Sequence, residues 1–152
     1  MSTETQIKLK FHSVDFPLVN FQSKKQLIEN PEINIEVEPR VFFPKECPNH
    51  FKIIQDVHIF VEDVFDLSII AIGSFELNDI EDEKLRYSFV NMNAPAIMFP
   101  YIRAFISTLT SNLGNVTGTL NIPPQFFKGE LKRIISEDNM EQKTNDNEKQ
   151  KG

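Results

Sequence analysis

Between positions 94 and 113 the only charged residue is Arg103, and this constrains the chain more than any other feature. Met98, Ile102, Phe105 and Leu109 recur at helical spacing along one stripe. Phe99, Ile106 and Leu113 widen it, and Ile97 and Tyr101 extend the other flank. The remaining positions are mostly small: Ala96, Ala104, Ser107, Thr108, Thr110 and Ser111. The spacing predicts a helix that opens after an Asn93 cap with Pro95 in its first turn. Pro100 kinks it and Gly114 stops it. A helix apolar over most of its circumference requires burial on more than one side. One sheet covers one side, so a second copy is expected on the other. Met98, Ile102, Phe105, Ile106, Leu109 and Leu113 are the expected oligomer interface.

The rest of the chain supplies the sheet. Ile7, Leu9 and Phe11 alternate with polar residues, and then the apolar parity flips to Val14, Phe16 and Leu18. One extra residue near Ser13 exchanges the faces, so a bulge is expected there. Pro17 cannot donate to a ladder and assigns this strand to an edge. Residues 20–30 form a connection. Ile33, Ile35 and Val37 make a second strand with one wet face. Phe51, Ile53, Val57, Ile59 and Val61 share one face of a third. Phe65, Leu67, Ile69, Ala71, Phe75 and Leu77 share one face of a fourth, joined to the third by a turn. Acidic residues 79–83 precede a first helical stretch, as suits a helix N-terminus. Residues 125–135 read as a short last helix with Phe127, Leu131, Ile134 and Ile135 on one side. From Ser136 onward Met140 is the one apolar residue, so residues 136–152 are expected to be a disordered tail beyond a single domain at 1–135. The fold class is α+β: a four-stranded antiparallel sheet packed on a long kinked helix and a short C-terminal helix.

Composition excludes several functions. A formal net charge of −6 without a basic cluster argues against nucleic acid. No apolar run approaches the length of a membrane span, and residues 1–6 are polar, so a cytoplasmic protein without membrane insertion is expected. Neither a Walker-type run nor a dinucleotide fingerprint is present, so no nucleotide cofactor is expected. Cys47-Pro48-Asn49-His50 offers at most two metal ligands where a structural zinc site needs four. No metal, no catalytic residue and no enzymatic activity are expected. The 14 Phe against 2 Tyr and no Trp point instead to apolar contact, in the core or with partner chains.

The run Asn93-Ala94-Pro95-Ala96-Ile97-Met98-Phe99-Pro100-Tyr101-Ile102-Arg103, followed by Leu120-Asn121-Ile122-Pro123-Pro124-Gln125-Phe126-Phe127, resembles the SecB family of protein-export chaperones. The resemblance covers about residues 6–135. It implies a homotetramer, a dimer of dimers with long helices between sheets. It also implies ATP-independent binding of unfolded polypeptides or preproteins, kept soluble and translocation-competent. The implied groove is lined by the long connection, the second strand and the last helix: Phe21, Leu27, Phe42, Phe43, Phe126, Phe127, Leu131 and Ile134. Docking to the SecA motor would use acids on the outer sheet. Asp15 matches one such position, whereas Val19 and Leu67-Ser68-Ile69 stand where further acids are expected. Some SecB-like proteins serve one client, such as the antitoxin of a toxin–antitoxin system. A purely structural subunit of an assembly is the alternative from another class.

Overall fold

The computed structural model describes residues 9–78, 81–123 and 132–134. Four long strands form in chain order: β1 (Leu9–Ser23), β2 (Asn34–Phe42), β3 (His50–Val61) and β4 (Phe65–Leu77). They are antiparallel neighbours in the order β1-β4-β3-β2, and a short β5 (Lys132–Ile134) joins β2 in parallel. Lys132–Ile134 is therefore strand, where the sequence predicts helix. Residues 124–131 and the 136–152 tail lie outside the described residues.

The period-two pattern sets the faces. Every odd residue of β4 from Phe65 to Leu77 faces the core, or is glycine at 73, and every even one is part-exposed. Ile53, Val57, Ile59, Leu67, Ile69 and Ala71 form the centre of the core. Gln55 holds a core position in the row Pro39–Gln55–Ala71, although it is polar. Neither of its amide atoms has a hydrogen-bond partner among the described residues. The β3–β4 turn closes with Val64 N–H donating to Val61 O at 2.9 Å. Asp63 takes φ +64° there, a conformation that Asp tolerates better than most residues.

β1 lies at the sheet edge, as Pro17 requires, and it carries two bulges against β4. The first falls between Phe11 and Ser13, with His12 as the extra residue. The second falls between Asp15 and Leu18, around Pro17. The first accounts for the parity flip: Phe11 faces Phe75 and Val14 faces Gly73, both core-side partners.

The helical region is one continuous path from Glu83, where the sequence suggests two separate segments. α1 (Glu83–Ser88) is capped by Asp82, whose Oδ1 accepts the amides of Lys84 at 3.0 Å and Leu85 at 3.3 Å. Phe89–Asn93 is a π-helical turn in which the Ala94 amide reaches back to Phe89 O. α2 (Ala94–Asn112) continues directly from it. Asn93 is thus inside the helical path with αR dihedrals and makes no side-chain cap. Pro95 has no amide to donate, and the wider π turn just before it accommodates the ring. Ala94, Met98, Ile102, Ile106 and Thr110 repeat every fourth residue and form the buried stripe of α2. Gly73 lets that stripe approach β4: a Cβ there would lie 2.6 Å from Met98 Sδ. Beside the stripe, Tyr101 and Phe105 pack their rings on Phe11 and Phe16 of β1, with centroids 5.0 and 4.1 Å apart.

Candidate functional site

The corner where β2 ends holds a cavity of about 270 Å³ lined by Phe43, Phe51, Leu77, Arg86 and Val90, together with loop residues 48–50. The loop between β2 and β3 is pinned from both sides. Cys47 O accepts the His50 amide at 3.0 Å, and Asn49 O accepts the Leu77 amide at 2.7 Å. Phe51 stacks on Phe75 at 5.3 Å and forms the floor. Phe43 leans on Phe51 at 6.0 Å, and α1 sets the Arg86 guanidinium 5.5 Å from the Phe43 ring centroid. The volume is slightly below the roughly 300–1,000 Å³ of typical small-molecule sites. An apolar floor under a cationic rim suits a side chain of a polypeptide.

The neighbouring edge of β2 is where extended chain attaches. Arg40, Val41 and Phe42 pair with Lys132, Arg133 and Ile134 in parallel register. Phe42 and Phe43 are consecutive and point to opposite sides. Phe42 sits opposite Lys52 on the outer face and is 8% exposed, whereas Phe43 lines the cavity on the helix side. Phe42 therefore belongs to the packing of the outer face, and Phe43 alone of the two lines the cavity.

Phe21 and Leu27 lie elsewhere. Phe21 pairs with Leu67 and tilts against Phe65, with ring centroids 6.1 Å apart. Leu27 lines a second cavity of about 420 Å³ with Ser23, Lys25, Gln26, Asn115, Val116 and Gly118. The Phe21 row crosses β4 at Leu67 and the Phe43 end lies near Phe75. Eight residues of strand separate them, about 26 Å. The described groove residues thus sit at opposite ends of the sheet, and one chain does not gather them into a single pocket. Phe126, Phe127 and Leu131 lie outside the described residues, and Ile134 is placed by its backbone in β5. Beside the second cavity, Lys24 Nζ meets Asp66 at 2.7 Å and His58 Nε2 meets the same carboxylate at 2.9 Å. These two hydrogen bonds, Lys24 first, hold the Asp66 carboxyl below its ordinary value, and Asp66 in turn raises Lys24.

The expected interface stripe divides. Met98, Ile102 and Ile106 are 0% exposed against the sheet of their own chain, so they are core and have no surface for a second copy. Phe105, Leu109 and Leu113 are half-buried on the flank of that stripe. The outward face of α2 carries Ala96, Pro100, Arg103, Ala104, Thr108 and Ser111, all exposed. Arg103 and the small side chains there remove the need for two-sided burial that the large residues suggested. Asp15 is exposed on the outer face opposite Ile72. Leu67 and Ile69 face the core, so neither is part of that surface.

One cluster escapes sequence reasoning altogether. His12 of β1, Glu76 of β4 and His50 of β3 offer ligand atoms all within 4.8 Å of one another. His12 Nε2 lies 3.2 Å from Glu76 Oε2, and the two imidazoles stack at 5.9 Å. Glu76 and His50 are cross-strand partners, and the first bulge inserts His12 beside them. The sequence paired His50 with Cys47 as neighbours, whereas the sheet pairs it with residues 38 and 26 positions away. Strand register was the missing signal.

Comparison with known proteins completes the picture. The structure is similar to the SecB-like chaperone Rv1957 of Mycobacterium tuberculosis, solved in complex with a ChAD peptide from the Rv1956 HigA1 antitoxin. The TM-score is 0.62 at 17% identity, over 76% of this chain and 89% of that one. An uncharacterised protein of Methanocaldococcus jannaschii, MJ0357, is 29% identical over 153 residues, covering 93% of this chain and 95% of that protein. Among the described residues no helix is long and apolar enough to cross a membrane. The family described as preprotein translocase subunit SecB matches residues 5–124, most of the length, and the chain belongs to the SecB family.

Proposed function

We propose that this protein is an ATP-independent chaperone that holds unfolded polypeptides and so keeps them soluble. The observation that carries this reading is β5. A three-residue extended segment sits on the edge of β2 at Arg40–Phe42, beside the cavity that Phe43 lines. A strand edge next to a pocket with an aromatic floor and a polar rim binds an extended chain by backbone pairing, and the pocket takes one of its side chains. Such recognition is tolerant of sequence, because the ladder uses groups that every residue but proline carries. Burying one client Leu or Phe contributes about 1.5–3 kcal/mol, so a few contacts give reversible holding. The net charge of −6 favours basic clients.

Light scattering of a denatured client diluted into the protein tests this. Wild type suppresses aggregation in proportion to its concentration. Phe43→Ala weakens client affinity about tenfold, which is 1.4 kcal/mol. No suppression by folded wild-type protein contradicts the proposal. Assembly into an oligomer accompanies this function in our reading, through the small outward residues of α2 and the half-buried Phe105 and Leu109.

The Mycobacterium tuberculosis complex favours a second reading within the same mechanism, a dedicated chaperone of one partner such as an antitoxin. Isolating the protein from its host discriminates: many co-purifying chains support general holding or export, and one support dedication. In the export reading Asp15 would meet the SecA motor, and Asp15→Asn would weaken that contact.

A further inference from the structure

We propose that His12, His50 and Glu76 form a surface site for a divalent transition-metal ion of the Zn²⁺ class. The proposal does not depend on the chaperone reading. Two imidazoles and a carboxylate are a donor set that suits Zn²⁺ and its borderline neighbours Co²⁺ and Ni²⁺ over Mg²⁺ or Ca²⁺, which prefer all-oxygen surroundings.

The placement is set by the sheet. Glu76 and His50 face each other across β4 and β3, on the outer face. On β1 the bulge makes His12 and Ser13 together oppose Ser74, and His12 is thereby turned toward Glu76. The three donors thus come from three adjacent strands, a rigid platform rather than a loop. Tetrahedral bonds of about 2.0–2.1 Å put ligand atoms about 3.3 Å apart. His12 and Glu76 already stand at 3.2 Å. The widest separation in the group is at most 4.8 Å, so the remaining closure is about 1.5 Å. Both histidines are exposed and Glu76 is half-buried, so rotation of the imidazoles supplies that closure without moving backbone. Lys10, paired with Glu76 in register, is exposed and free to turn its ammonium into solvent. Three protein ligands leave the fourth position to water, or to a side chain of a bound polypeptide.

The test uses the full chain without an affinity tag. Co²⁺ is titrated and followed by visible absorption, and Zn²⁺ by calorimetry. One equivalent binds saturably, and the cobalt spectrum is tetrahedral without a thiolate charge-transfer band. His12→Ala, His50→Ala and Glu76→Gln each weaken binding by about tenfold or more, in the range seen when groups supporting a metal are lost. Circular dichroism of Glu76→Gln, nearly isosteric, matches wild type, so loss of binding in that variant is not unfolding. His58→Asn and Cys47→Ser bind as wild type does, because His58 serves Asp66 and Cys47 is exposed outside the cluster. The proposal is overturned by the absence of saturable binding, by unchanged affinity in folded Glu76→Gln, or by loss of binding in Cys47→Ser.

Discussion

Gly73 fixes how closely the helix layer sits on the sheet. Its Cα faces the Met98 thioether, and an added methyl would meet Sδ at 2.6 Å and the Phe75 ring at 2.8 Å. The ring is held in the Phe51–Phe75 stack, and Met98 is fully buried, so neither has room to retreat. Gly73→Ala is expected to destabilise the fold by about 1–3 kcal/mol through overpacking, measured by denaturant unfolding; an unchanged midpoint contradicts this packing. At the other end of the sheet, Asp66 joins β4 to the long connection through Lys24 and to β3 through His58. Its folded carboxyl lies below the ordinary 3.8. Its contribution to stability is therefore fully present above that value and lost as pH falls through the folded one. Lys24, raised above 10.5, contributes below that value, and its contribution is lost as pH rises through the raised one. The ion pair thus holds throughout the neutral range. In Lys24→Gln the Asp66 carboxyl resonance should titrate closer to 3.8, and an unmoved titration would show that Lys24 does not hold it.

At the scale of elements, α2 presents two unlike faces, and charge placed on each should fail differently. Ile102 is completely enclosed by its own sheet. Ile102→Asp buries an unpaired carboxylate and is expected to cost about 4 kcal/mol or more, unfolding the chain rather than dispersing an assembly. Ala104 is exposed on the outward face. Ala104→Arg should leave helicity and melting temperature near wild type while lowering the sedimenting mass, if that face joins copies. Equal masses for wild type and Ala104→Arg would remove the outward face from assembly. The helix length, its prolines and its lack of charge were readable from residues 94–113. Its orientation was not, because every second and third large residue in that stretch fits a stripe of some direction. What decides is that Ala94, Met98, Ile102, Ile106 and Thr110 are the buried stripe, with Met98 set against Gly73 of β4, a tertiary fact. The Asn93 cap failed for a related reason: the Asp82 carboxylate starts the helix eleven residues earlier, and the π turn carries it past Pro95.

Across the whole molecule, legibility follows how local the cause is. The four strands were legible because alternation is written in consecutive residues. The bulge was legible because His12 and Ser13 flip the apolar parity between Phe11 and Val14. Gln55 was missed as a core position because its polarity breaks the pattern that its neighbours Ile53 and Val57 keep. The last segment was expected as helix from Leu131, Ile134 and Ile135, yet Lys132–Ile134 pairs with β2, since an open strand edge outweighs weak helical spacing in three residues. The groove was read from a family resemblance, and the fold separates its described members: Phe43 at one end, Phe21 and Leu27 at the other, Phe42 on the outer face. The account therefore rests on the β2 edge and the Phe43 cavity as the place where a client chain is held. Backbone hydrogen exchange in the presence and absence of a permanently unfolded polypeptide measures this directly. The account predicts slowed exchange in β2 over residues 34–39 and around Phe43, with β1 unchanged. Saturable client binding that protects β1 while leaving β2 and Phe43 unaltered would contradict it.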